Sequence, residues 1–105
     1  MGFKTGALKT KYVVETGFFR EEYTIFCAIE SVSDVLAFVM IDGEGKQVPI
    51  RIGEEDDCSK GSGSLIDCLY YLKHYNTGTF DCGKFDKITI EDASEEEFEK
   101  YFRNN

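Results

Sequence analysis

EEYTIFCAIE, residues 21–30, and DVLAFVMID, residues 34–42, are the two stretches that fix the fold. Both are rich in β-branched and aromatic residues and read as strands. Along the first, Tyr23, Ile25, Cys27 and Ile29 share one face, and Phe26 and Ala28 share the other. Along the second, Val35, Ala37, Val39 and Ile41 oppose Leu36, Phe38 and Met40. An antiparallel sheet with one wet face should alternate apolar and polar residues. These strands do not, so something covers both faces. Helices on opposite sides would do it, and so would a partner chain. Ser31 to Ser33 make a link short enough for a hairpin.

Working outward, KYVVETGF (11–18) reads as a first strand, preceded by MGFKTGALKT (1–10), a weakly ordered arm. Asp42-Gly43-Glu44-Gly45 is a turn leading into KQVPIRIG (46–53), with Val48, Ile50 and Ile52 inward. Pro49 marks that strand as an edge, because proline cannot donate to a sheet ladder. A helix follows, capped by Ser62 or Ser64, with Leu65, Cys68, Leu69 and Leu72 in one apolar stripe. Asn76-Thr77-Gly78 stops it. A further strand near 85–91 turns Ile88 and Ile90 inward. Ser94 and Glu97 form a capping box that opens a last helix, whose stripe is Phe98, Tyr101 and Phe102. The expected architecture is a single α+β domain: a mainly antiparallel sheet of about five strands with two helices, in the order β-β-β-β-α-β-α.

The chain has 105 residues and a net charge of −8, enough length to bury a core without staples. Its first twenty residues are net basic and the rest strongly acidic. Such a surface repels nucleic-acid phosphates and anionic membranes and attracts basic partners. There is no signal-peptide pattern, and the apolar runs are too short to span a bilayer. The expected location is the cytoplasm, with reduced thiols.

The chemistry is sparse. The lone histidine, His74, lies near the end of the first helix, and Cys68 six positions upstream points elsewhere. No nucleophile elbow, paired-histidine metal motif or dinucleotide fingerprint is present. Cys27, Cys58, Cys68 and Cys82 lack the close-spaced pairs of a zinc site. Cys27 and Cys68 belong to apolar stripes, while Cys58 and Cys82 fall in loops. No cofactor, no metal and no direct nucleic-acid contact are expected.

GEEDDCSKGSGS (53–64) is the most distinctive loop. Glu54, Glu55, Asp56 and Asp57 are contiguous, so they cannot alternate around one calcium ion. The glycine-serine run lacks the Walker order, and four carboxylates beside it oppose a phosphate. What remains is a solvated loop that caps the helix, or an acidic contact loop. A second acidic cluster, EDASEEEFE (91–99), includes Glu95 and Glu96. Tyr70, Tyr71 and Tyr75 add aromatic anchors of the type enriched in interface hot spots. The expected function is a non-catalytic acidic protein that binds and neutralises a basic protein. An immunity protein against a nuclease toxin fits, as does a phage-encoded inhibitor of a nucleic-acid-binding defence enzyme. One alternative is a self-associating structural or accessory domain, a homodimer buried along 23–29 and 35–41. A second is a small enzyme or ligand-binding domain using His74 and loop carboxylates.

Overall fold

The two strands quoted above pair with each other as neighbours in a six-stranded antiparallel sheet. A computed structural model describes residues 6–16, 18–30, 35–50, 65–74, 77–81 and 87–103. The strands are β1 (Ala7–Thr16), β2 (Phe19–Glu30), β3 (Val35–Ile41), β4 (Gln47–Val48), β5 (Gly78–Asp81) and β6 (Lys87–Asp92). Helix α1 (Leu65–Lys73) lies between β4 and β5, and α2 (Glu95–Phe98) runs into a π-helical turn over Glu99–Arg103. The sheet order is β4-β3-β2-β1-β6-β5. The chain is thus α+β, with one strand more than expected.

Both faces of the central strands are covered, and by this chain's own helices. On one face Leu8, Ile25, Cys27, Met40, Ile88 and Ile90 pack beneath Leu65, Cys68 and Leu72 of α1. On the other, Ala7, Phe26, Ala28, Val39, Ile41 and Ala93 form a core against Phe98, Tyr101 and Phe102. The Phe26 and Tyr101 rings meet with centroids 4.9 Å apart. The strict alternation of a strand sends Ile25 and Phe26 to opposite layers, so α1 and α2 sit on opposite sides of the sheet.

Helix α2 begins where its side chains satisfy its own free amides. Ser94 Oγ accepts from the Glu97 amide at 3.1 Å, and Glu97 Oε1 accepts from the Ser94 amide at 2.9 Å. The same oxygen accepts from Lys9 Nζ at 3.0 Å, tying the helix start to the N-terminal strand. Glycine is required just before that strand. Gly6 has φ +93°, and a Cβ there would approach the Phe98 ring to 3.2 Å. At the β3–β4 turn, Asp42 Oδ1 accepts from the Glu44 and Lys46 amides, both at 2.9 Å, and Gly45 supplies φ +84°.

Four expectations need correction. Residues 7–10 are not an arm: Ala7 and Leu8 are wholly buried, and the alternation of Ala7 and Lys9 with Leu8 and Thr10 makes them the start of β1. The strand expected at 46–53 is only two residues long among the described residues, because Pro49 cannot continue the ladder. Gly78, read as part of a helix stop, opens β5, a strand of four residues too short to show a period. The last helix is not a plain α-helix; it widens into the π-helical turn after Phe98. The capping serines at 62 and 64 lie outside the described residues.

The two-layer core makes Phe26 the residue whose loss is felt most on the α2 side. Phe26→Ala should lower unfolding free energy by about 3–5 kcal/mol in chemical denaturation. Ser94→Ala, which removes one cap and little packing, should cost about 1 kcal/mol.

Candidate functional site

Alpha-helix α1 carries a second apolar stripe on the side turned away from the core. Ile66, Tyr70 and His74 recur every four residues, which places them on one face of a helix. Ile66 and Tyr70 are each about half exposed, at 52% and 51%. A surface helix normally turns polar residues outward. The His74 ring stands edge-on to Tyr70 with centroids 4.5 Å apart, and Tyr71 meets Tyr70 edge-on at 5.4 Å. Tyr71 is half-buried because it stacks on Phe80 of β5 at 4.9 Å. The result is a continuous aromatic ridge, Tyr71–Tyr70–His74, beside Ile66.

The expected contact residues do not all share this surface. Tyr70 is exposed on it and Tyr71 supports it from below. Glu95 and Glu96 are exposed at the start of α2, in the opposite layer of the domain. Tyr75 and the acids Glu54, Glu55, Asp56 and Asp57 lie outside the described residues, as do Cys58 and Cys82. In sequence, the acidic run ends eight positions before Leu65, the first residue of α1.

His74 is exposed, whereas Cys68 is wholly buried in the α1-side core, so the two form no thiol–imidazole pair. Cys27 is buried in that same core. Among the described residues, no group of three or more His, Cys, Asp or Glu side chains gathers to hold a metal ion. Nor, among them, is any helix long and apolar enough to cross a membrane.

Two features escaped the sequence reading. Beta-strands β1 and β2 pair as far as Thr16↔Phe19, with two residues linking them, and place Phe18 fully exposed and Phe19 largely exposed at the hairpin tip. The doublet Phe18-Phe19 after Gly17 was the available signal, and it reads equally well as part of a buried strand. The second feature is a hollow of about 490 Å³ on the α2 side of the sheet, with Lys9, Lys11 and Lys87 along its walls. The lysines come from strands far apart in sequence, so no local pattern announces them.

The charges around the hairpin are locally paired. Arg20 Nη2 lies 2.9 Å from Glu22, and Lys11 Nζ lies 3.5 Å away on its other oxygen. Arg20 first, then Lys11, holds the Glu22 carboxyl below its ordinary range. Tyr23 donates its hydroxyl proton to Glu21, two residues back on the same face of β2. That hydrogen bond, with burial and the Glu21 charge, pushes the Tyr23 phenol up to about 12. On the α2 side, burial raises the Glu97 carboxyl, but hydrogen bonds from the Ser94 amide and Lys9 outweigh it and leave the group below its ordinary 4.5.

A scan against protein-family models finds no match, and searches of curated proteins and of solved structures find none either. The class that fold and surface define is an acidic, antiparallel α+β domain with helices in both layers and an aromatic ridge on one of them.

The Glu97 carboxyl has a lowered folded-state pKa, so its stabilisation is complete above 4.5 and is lost as pH falls toward the folded value. Glu97→Gln should therefore flatten the loss of stability below about pH 4.5, measured by urea unfolding across pH 3–6. The Tyr23 phenol should ionise only near pH 12 in an absorbance titration, and Glu21→Gln should return it toward the ordinary range.

Proposed function

We propose that this protein is a non-catalytic binder that captures and neutralises a basic protein partner in the cytoplasm. The observation that carries the reading is the outward aromatic ridge of α1. Exposed aromatic and aliphatic side chains at helical spacing are what a helix presents when it seats in a partner's groove. Tyr and similar residues dominate the binding energy at such contacts. The net charge of −8 supplies the rest, because complementary charge speeds association and excludes acidic competitors.

The acidic run at 54–57 stands just upstream of α1 in sequence and contributes charge toward the same basic partner. An immunity protein against a nuclease toxin, or a phage-encoded inhibitor of a nucleic-acid-binding defence enzyme, fits this arrangement. In either, a basic surface that normally holds nucleic acid would be blocked by acids around an aromatic anchor. The self-association reading rested on strands apolar on both faces, and α1 and α2 account for those faces within one chain. The opposite-layer position of Glu95 and Glu96 removes them from this contact and leaves their acidity to the α2 terminus, where it suits the helix dipole.

The test is affinity capture from host lysate at low and moderate salt, followed by titration of the captured partner. Tyr70→Ala should weaken binding by about thirtyfold, the scale of an interface hot spot. Charge reversal at Glu54, Glu55, Asp56 and Asp57 should slow association and abolish its salt dependence. Reversal at Glu95 and Glu96 should leave the dissociation rate unchanged. A partner that tolerates Tyr70→Ala but loses binding on reversal at Glu95 and Glu96 would move the contact to the other layer and overturn the assignment.

A further inference from the structure

Helix α2 and the turn after it pack on Ala7, Phe26, Ala28, Val39 and Ile41 of their face of the sheet. The same face also carries polar side chains: Lys9 and Lys11 on β1, Thr24 on β2, and Lys87 and Thr89 on β6. These side chains surround the hollow of about 490 Å³, a size typical of small-molecule sites. Three lysines meet here on a chain whose net charge is −8.

The acids that share the hollow do not neutralise all of it. Glu97 and Glu91 both lie against Lys9, at 3.0 and 3.9 Å, so that wall carries one carboxylate more than its single ammonium offsets. Glu22 is divided between Lys11 and Arg20. Lys87 makes no ion pair among the described residues. The lining thus carries three lysines against two carboxylates, with Lys11 beside Glu22 and Lys87 opposite Asp81 in the β5–β6 ladder. Hydroxyl donors stand beside them. Thr24 is the direct cross-strand partner of Lys11. The Thr89 hydroxyl is exposed on β6, 3.1 Å from that of Thr79.

The paired ladder between β1 and β6 covers Leu8↔Asp92 and Lys9↔Glu91, and beside it the Thr10 hydroxyl donates to the Thr89 carbonyl at 2.9 Å.

We propose that the hollow binds a small, multiply charged oxyanion. Lys11 and Lys87 would contact the anion as cations, Thr24 and Thr89 would donate hydrogen bonds, and Lys9 with Glu97 would form a fixed back wall. Ammonium and hydroxyl donors recognise both phosphoryl and carboxylate oxygens, so the shared chemistry is a cluster of anionic oxygens. The site lies in the layer opposite the aromatic ridge, so it can be occupied whether or not a protein partner is bound at α1.

The experiment is a titration of the ¹⁵N-labelled full chain with pyrophosphate, and separately with citrate, at constant ionic strength, followed by amide shifts. Saturable shifts at Lys11, Thr24 and Thr89 are expected. Lys11→Gln and Lys87→Gln should each weaken binding about tenfold, as loss of a charge-assisted contact does. Lys46→Gln, at the exposed β3–β4 turn, should leave affinity unchanged. These lysines are exposed or half-exposed, and an otherwise unaltered spectrum shows that each variant is folded. Saturation by pyrophosphate alone identifies a phosphorylated ligand, and by citrate alone a polycarboxylate. Saturation by neither, or equal weakening by Lys46→Gln, would overturn the proposal.

Discussion

A strand that is apolar on both sides cannot face water on either. That constraint, set by Ile25 and Cys27 on one side of β2 and Phe26 and Ala28 on the other, organises the domain. It requires two layers of cover, and the chain supplies them from separate regions. Helix α1 comes from the middle of the sequence, and α2 with its π-helical turn comes from near its C-terminal end. Burial of the large side chains at these two interfaces is the main source of stability in a domain of this size. It also fixes which surfaces face the same way. The aromatic ridge and the acids of α2 are on opposite sides because Ile25 and Phe26 are adjacent residues.

Local charge arrangement matters more than the sum. The chain is strongly acidic, but Glu97 is engaged by Lys9 and by the Ser94 amide, and Glu22 by Arg20 and Lys11. Such pairs at partly exposed positions stabilise little individually. Their larger effect is positional. Glu97 holds the start of α2 against β1.

The sequence disclosed what depends on periodicity and on local hydrogen bonding. The two-sided character of residues 23–29 correctly implied cover on both faces. Leu65, Cys68 and Leu72 were legible as the buried stripe of α1, and Ser94 with Glu97 as a capping box, because each is a pattern within one turn or two of helix. What was missed has a different physical origin. Four residues, Gly78 to Asp81, are too few to show alternation, so β5 was hidden behind a helix-stop reading. The lysines of β1 disguised Ala7 and Leu8 as an arm, although cross-strand pairing with Ala28 and Cys27 buries them. The grouping of site residues was the least legible, since layer assignment follows from strand order, and strand order is decided by contacts far apart in the chain. Tyr70 was a sound candidate by type, and Ile66, its neighbour one turn earlier, was not singled out because a single isoleucine on a helix carries no signal.

The position of β1 has a consequence for how the protein is made. This first strand is interior to the sheet, between β2 and β6, and Lys9 closes onto Glu97, 88 residues further on. A chain emerging from the ribosome can form the β1–β2 hairpin early, but the other edge of β1 must wait until β6, Lys87–Asp92, has been made. Until then an apolar, unpaired strand edge is held at the centre of the nascent sheet, the kind of edge that recruits other chains. Closure of that edge by β6 is therefore a late step in assembling the domain, and its exposure to aggregation is greatest until β6 has docked.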